Sequence, residues 1–212
     1  MKKKSYIPIL FVLLLAFMSL SFITNSNEKI IIIKNFTLKS VDNKKVSLND
    51  YRDAKGFAVV FICNKCPMAK LYSDRLNKIN DKYKKQKVYL LAINSMDTLA
   101  YAEESFKLMQ KKAAKDKFNF PYLQDKKQVV AKQFNAKHTP QAFIIWKNKE
   151  SNKFSIKYQG AIDDNAAEPE KATNHYLTSA IDDLLQNKEV KTPKSDSFGC
   201  RIFFRGEKQN MY

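Results

Sequence analysis

The chain has 212 residues, enough for one domain with short appendages, and its 44% hydrophobic and 28% charged residues suit a protein with a packed core. Only four glycines argue against collagen-like repeats and glycine-rich phosphate loops. A net charge of +17 invites nucleic acid or anionic lipid as a partner. The lysines, however, are spread along the chain, no basic run alternates with stacking aromatics, and two His with three Cys give no zinc-finger spacing, so no nucleic acid partner is expected. The charge reads as a solvated surface, with weak attraction to an anionic membrane left open.

Lys2, Lys3 and Lys4 precede an almost wholly apolar run from Ile7 to Ile23. A basic flank ahead of such a run is the pattern of a secretory signal, and Ser19 and Ser21, or Thr24 and Ser26, offer small residues for cleavage. The run is near the lower end of the roughly 17–25 residues that span a bilayer, so an uncleaved anchor is the alternative. Residues 1–26 are assigned to a signal peptide or membrane anchor. The protein is expected to be exported, either periplasmic or tethered to the membrane facing outward. Disulfides persist there, which bears on Cys63, Cys66 and Cys200, an odd set that leaves at least one thiol without a partner in the chain.

After a polar linker at Asn25–Lys29, Phe36 to Leu48 reads as two short strands around an Asp42–Asn43 turn. Phe57–Ile62 is a continuous apolar run of strand formers, as in a central strand buried on both faces. Pro67 to about Lys85 predicts one helix, with Met68, Leu71, Tyr72, Leu76, Ile79 and Tyr83 at three- and four-residue spacing. Pro67 stands at its first position, where a missing N–H costs nothing. Val88–Ile93 is a second buried strand, Glu103 to about Lys115 a helix, Phe120–Leu123 a short extended piece and Val129–Phe134 a short helix. Phe143–Trp146 and Phe154–Tyr158 form a late hairpin. Ala172–Asn187 predicts a helix with Leu177, Ala180, Ile181, Leu184 and Leu185 on one face and His175 on its polar side. From Pro193 onward the chain reads as irregular. Strands alternating with helices, plus an antiparallel hairpin, predict an α/β domain with a mixed sheet.

The chemistry concentrates at Cys63-Asn64-Lys65-Cys66-Pro67, which joins the apolar strand to the first helix. Two intervening residues let the sulfurs approach to disulfide distance. At a helix N-terminus, backbone N–H groups and the dipole favour thiolate, lowering a cysteine from about 8.5 to roughly 3.5–7.5, and Lys65 adds charge of the same sense. Structural zinc needs about two more N or S ligands, whereas His138, His175 and Cys200 are isolated, so no metal is expected. Asp163-Asp164-Asn165 reads as a turn rather than a cation site. Pro140 in His138-Thr139-Pro140 alone suits a trans proline opening a strand; in order after the Cys pair, a cis bond is favoured. Thr139 would then offer its backbone to an extended partner beside the thiols. Cys200, in Gly199-Cys200-Arg201-Ile202, is a resolving or regulatory thiol on a flexible tail, a bridge to another chain, or a cysteine packed on the domain.

CNKCP after FAVVFI, with a later Thr-Pro before a strand, resembles the thioredoxin superfamily. Within it the chain is similar to the peroxiredoxin-like, AhpC/TSA-type redoxin group with a Cys-Asn-x-Cys-Pro motif. Further matches are Ala92–Ser95, Glu104–Phe106, Phe120–Leu123, His138–Pro140, Tyr158–Asn165 and Gly199–Cys200, over about residues 34 to 204. The resemblance implies a thioredoxin-like three-layer α/β/α sandwich with a mixed sheet and an N-terminal β-hairpin extension over residues 30–190, and a tail of 191–212 carrying Cys200. It implies Cys63 and Cys66 as catalytic thiols, Thr139 and Pro140 as substrate-binding residues, Lys65 and Pro67 as tuning residues, and no cofactor. The partner would be a disulfide-bearing or dithiol protein, or a peroxide. A peroxidatic centre of this group has Thr or Ser three residues before its Cys and a partner Arg. Here Cys63 stands three before Cys66, and Arg75 lies two to three helical turns along. Thiol–disulfide exchange in redox homeostasis outside the cytoplasm is therefore the expected function, with Cys63 attacking a partner disulfide as a thiolate and Cys66 resolving the mixed disulfide; thiol peroxidase and a non-catalytic binding module are the alternatives.

Overall fold

The structure, a computed structural model, describes residues 30–206. The signal or anchor assigned to residues 1–26 lies outside them. Among the described residues no helix is long and apolar enough to cross a membrane.

Strands β1 (Ile32–Ile33), β2 (Thr37–Ser40), β3 (Lys45–Ser47), β4 (Gly56–Phe61), β5 (Val88–Asn94), β6 (Tyr122–Gln124), β8 (Gln141–Lys147) and β9 (Phe154–Gly160) form one eight-stranded sheet in the order β1-β9-β8-β4-β5-β6-β2-β3. Strands β4, β5 and β6 run parallel, and β8 is antiparallel to β4. The sheet is mixed, with the β2–β3 hairpin at one edge. Strand β4 lies at the centre because its six residues are buried and bring no polar side chain to satisfy. Phe61, Phe134 and Phe143 meet edge-on with ring centroids 5.2–5.7 Å apart and fill the core beside it.

Helices α1 (Pro67–Lys70), α2 (Ser73–Lys84), α3 (Phe106–Lys115), α4 (Val129–Phe134) and α5 (Tyr176–Leu185) complete the domain. Helix α2 packs on β5, α3 on β6, and α5 on β8 and β9. The single helix expected over 67–85 is two. Leu71 and Tyr72 carry i→i−3 bonds to Met68 and Ala69 (3.2 and 3.3 Å), which tighten the chain and shift the register. Leu71, expected on the apolar face, is therefore exposed, whereas Tyr72 is buried.

The last helix begins at Tyr176, not Ala172, because Asp164 holds the preceding residues extended. Its carboxylate accepts from the Thr173 N–H and hydroxyl (2.9 and 2.6 Å) and from the Asn174 N–H (3.0 Å). These bonds, led by the Thr173 hydroxyl, keep the Asp164 carboxyl well below the usual carboxylate range. His175, read as mid-helix, is the N-cap residue of α5.

The neighbouring Asp163 is buried. It accepts from the Tyr72 hydroxyl at 3.0 Å and pairs with Arg75, which also donates to the carbonyls of Asn165 (3.0 Å) and Ala166 (3.2 Å). This knot ties α2 to the loop after β9. Removing one partner of a buried pair strands the other charge, so Asp163→Ala should lower stability by about 3–5 kcal/mol in urea unfolding; a change below about 0.5 kcal/mol, the surface-substitution range, would show that the knot is dispensable.

Candidate active site

Beyond β4, Ile62 N–H still pairs with the Ile93 carbonyl at 2.9 Å, and Cys63 leaves the sheet. Residues 63–66 form the loop into α1, whose N-cap residue is Cys66 and whose first residue is Pro67. Cys63 precedes the helix by three residues. Its Sγ accepts the Cys66 N–H at 3.3 Å, and the two thiols hydrogen-bond each other. Both are buried, at 1% and 3% exposure, which the sequence did not indicate.

The loop is held from below by a residue to which sequence reasoning gave no role. Glu104, 2% exposed, accepts the N–H groups of Asn64 (2.7 Å) and Lys65 (3.0 Å) and the Asn94 side-chain amide (2.8 Å). Asn64 also bonds the Glu103 carbonyl at 3.0 Å and accepts from the Tyr122 hydroxyl at 3.0 Å. Two of the backbone donors expected to stabilise sulfur thus serve a carboxylate. Lys65 points to solvent, where its ammonium pairs with Glu103 at 3.2 Å. The only sequence signal for Glu104 was its place in the Glu104-Ser105-Phe106 match.

The Thr139–Pro140 bond is cis. Thr139 Oγ1 lies 3.2 Å from Cys63 Sγ, and the Thr139 carbonyl lies 3.0 Å from Cys66 Sγ. The sequence therefore names a set of residues that the fold does bring together. It does not anticipate what occupies the Thr139 edge. Strand β7 (His138–Thr139) pairs antiparallel with β10 (Cys200–Arg201), setting Cys200 opposite Thr139 and Arg201 opposite His138. The backbone edge foreseen for a partner strand is filled by the protein's own C-terminal segment. The tail is neither irregular nor free there: Ile202 is buried and its N–H bonds the Lys137 carbonyl at 2.8 Å. Local patterning could not reveal this, because a two-residue strand has no periodicity.

Of the three thiols, Cys66 is the one whose ionisation its neighbours favour. The Cys63 thiol bonded to it lowers its pKa, against the desolvation that raises it, and the Cys200 thiol and the N–H groups of Ala69 and Cys200 add to the lowering, to about 4. The neutral Cys66 thiol has one acceptor, the Thr139 carbonyl; four donors outweigh it. Cys63 is pushed up, first because it is the donor to Cys66 and then by burial. Cys200 is raised to about 11 by burial and by its hydrogen bond to Cys66. Helix-mouth reasoning from sequence puts the thiolate on Cys63, whose sulfur accepts the Cys66 N–H at 3.3 Å; the donors converging on the N-cap sulfur favour Cys66 instead.

A mixed sheet with a dithiol loop at the end of its central strand, facing a cis Thr-Pro, defines a thioredoxin-like redox protein. A putative thioredoxin from Neisseria meningitidis shares the fold (TM-score 0.54, 18% identity, 74% of this chain and 92% of that one). The AhpC/TSA family matches residues 32–158, and the chain belongs to that family. A hypothetical protein from Sinorhizobium meliloti 1021 is similar over 86% of this chain and 98% of its own (29% identity, TM-score 0.75). An uncharacterized conserved protein from Geobacillus kaustophilus is similar over 84% and 92% (31% identity, TM-score 0.73). No curated protein matches.

Two outcomes check the site. Thiolate absorbance at 240 nm should appear with a midpoint near pH 4, the charge being present above it and lost below, and should vanish in Cys66→Ser; an unchanged low-pH titration in that variant would place the charge elsewhere. Glu104→Gln leaves one acceptor where two oxygens served three donors, and should cost roughly 1–3 kcal/mol in chemical unfolding.

Proposed function

We propose that the protein is a thiol–disulfide oxidoreductase whose working couple is Cys63 and Cys66. The carrying observation is that the two thiols meet in one buried cluster facing the cis Thr139–Pro140 bond, Cys63 Sγ accepting the Cys66 N–H at 3.3 Å and lying 3.2 Å from Thr139 Oγ1, with Cys66 Sγ 3.0 Å from the Thr139 carbonyl. Thiolate is the species that attacks sulfur. Cys66 is the attacking sulfur and Cys63, still protonated, resolves. In the net reaction the partner disulfide gains two electrons and two protons; the pair gives up the two electrons and the one proton on Cys63, the second proton comes from water, and the pair closes to Cys63–Cys66.

Exchange is favoured over peroxide reduction by the position of Arg75. The guanidinium that a peroxidatic centre would set against its thiolate is bound to Asp163 and to the carbonyls of Asn165 and Ala166. Action outside the cytoplasm is supported by Lys2–Lys4 ahead of the apolar run Ile7–Ile23, and oxidising compartments are where such a couple would meet disulfides. Tethering to the membrane through an uncleaved run is the alternative form of the same reading.

With dithiothreitol as reductant, the protein should accelerate insulin reduction, and Cys63→Ser or Cys66→Ser should each slow it at least 100-fold. Hydrogen peroxide consumption should be no faster for wild type than for Cys66→Ser. Retained insulin reduction in both variants would overturn the assignment.

A further inference from the structure

The couple just proposed is closed off from solution. Cys63 and Cys66 are almost fully buried, yet a disulfide exchange needs in-line access to a sulfur. The third thiol, Cys200, is only half-buried and stands opposite Thr139, whose carbonyl lies 3.0 Å from Cys66 Sγ. It is held there by pairing on both sides. Ahead of it, Ser195 N–H bonds the Gln159 carbonyl (3.1 Å), the Ser195 and Tyr158 hydroxyls bond each other (2.7 Å), and Ser197 Oγ meets His138 Nδ1 (3.1 Å). Behind it, Gln128 bonds the Phe203 carbonyl and the Arg205 N–H (both 2.8 Å), and Arg205 pairs with Asp97 at 2.6 Å. Gly199 permits the approach: a Cβ there would stand 2.2 Å from the Thr139 carbonyl oxygen. Cys200 thus occupies, within the chain, the place where an extended partner would present its sulfur to Cys66.

We propose that Cys200 is a third redox thiol of this site, carrying the disulfide bond between partners in solution and the buried Cys63–Cys66 couple. The proposal rests on the exchange reading above. Cys200 gives its proton to water and its thiolate attacks a partner disulfide; a Cys200–partner bond forms, the partner bond breaks, and the departing partner thiolate takes a proton from water. The Cys66 thiolate attacks the Cys200 sulfur, forming Cys66–Cys200 and releasing the second partner sulfur. Cys63 then attacks Cys66, forming Cys63–Cys66 and expelling Cys200, which takes up the Cys63 proton, while the second partner sulfur is protonated from water. Each step makes one S–S bond and breaks one, and the sum is two-electron reduction of the partner. All steps are reversible. Loss of charge from Cys66 on oxidation removes two of the influences that hold Cys200 protonated, its hydrogen bond to Cys66 and the Cys66 charge, so Cys200 is the better nucleophile for the return direction.

Trypsin separates the three thiols, into Gly56–Lys65, Cys66–Lys70 and Ser195–Arg201. The full-length Cys63→Ser protein is oxidised with oxidised glutathione, blocked with N-ethylmaleimide, digested and mapped by mass spectrometry. The expected result is a dominant link between the Cys66 and Cys200 peptides. Wild type, acid-quenched during oxidation, should show the same link transiently, which needs no variant. Cys200→Ser should slow insulin reduction at least tenfold while its circular dichroism and thermal midpoint stay those of wild type. Absence of the Cys66–Cys200 link in both proteins, with Cys63–Cys66 forming normally in wild type, overturns the relay and leaves the exchange reading standing. Failure of wild type to reduce insulin at all overturns both.

Discussion

A sulfur anion kept away from water is the constraint around which this site is organised. Burial alone would drive the Cys66 proton on, because a charge in a low-dielectric interior loses its hydration. Donors converging from three directions offset that loss: the Cys63 thiol, the Cys200 thiol, and backbone N–H groups of Ala69 and Cys200. The donors come from three separate parts of the chain, so the charge is supported only when the loop after β4, the start of α1 and strand β10 are assembled together.

Rigidity of the loop follows from Glu104. Its two carboxylate oxygens take up the backbone donors at Asn64 and Lys65, and its remaining bond goes to Asn94 at the end of β5. Tyr122 on β6 adds a hydroxyl to Asn64, and its phenol stays protonated because complete burial opposes ionisation. The same carboxylate charge repels a thiolate on Cys63, one of the influences that raise it. One acidic residue therefore does two things: it fixes the dithiol loop to the parallel strands and helps place the anion on the sulfur farther along the helix mouth. Lys65, which lies between the cysteines in sequence, is turned outward to Glu103 and solvent.

The C-terminal segment changes what the Thr139–Pro140 edge can be used for. A bare edge beside a dithiol would receive a partner by strand addition. Here the edge is paired internally, and the segment is pinned through Ser195, Ile202 and Arg205. The surface beside the dithiol is thus composite, and Cys200 is the most exposed of its three thiols. A strand fixed at both ends serves positional accuracy for a short transfer better than it serves as a removable lid.

The sequence by itself determined the layered α/β architecture, since buried runs such as Phe57–Ile62 and the three- and four-residue spacing of helices are local patterns written in consecutive residues. It also determined the dithiol loop and the Thr-Pro that faces it, because their spacing and order are features of the linear chain. What only the tertiary structure decided is how the thiols share charge and how they are reached. The Glu104 cradle and the pairing of Cys200 with Thr139 depend on residues 40 and 61 positions apart meeting in space, and no local periodicity encodes such meetings. Ionisation is set by the sum of a thiol's neighbours in space, which lowers Cys66 and raises Cys63 although the position of Cys63 in the sequence suggests the reverse.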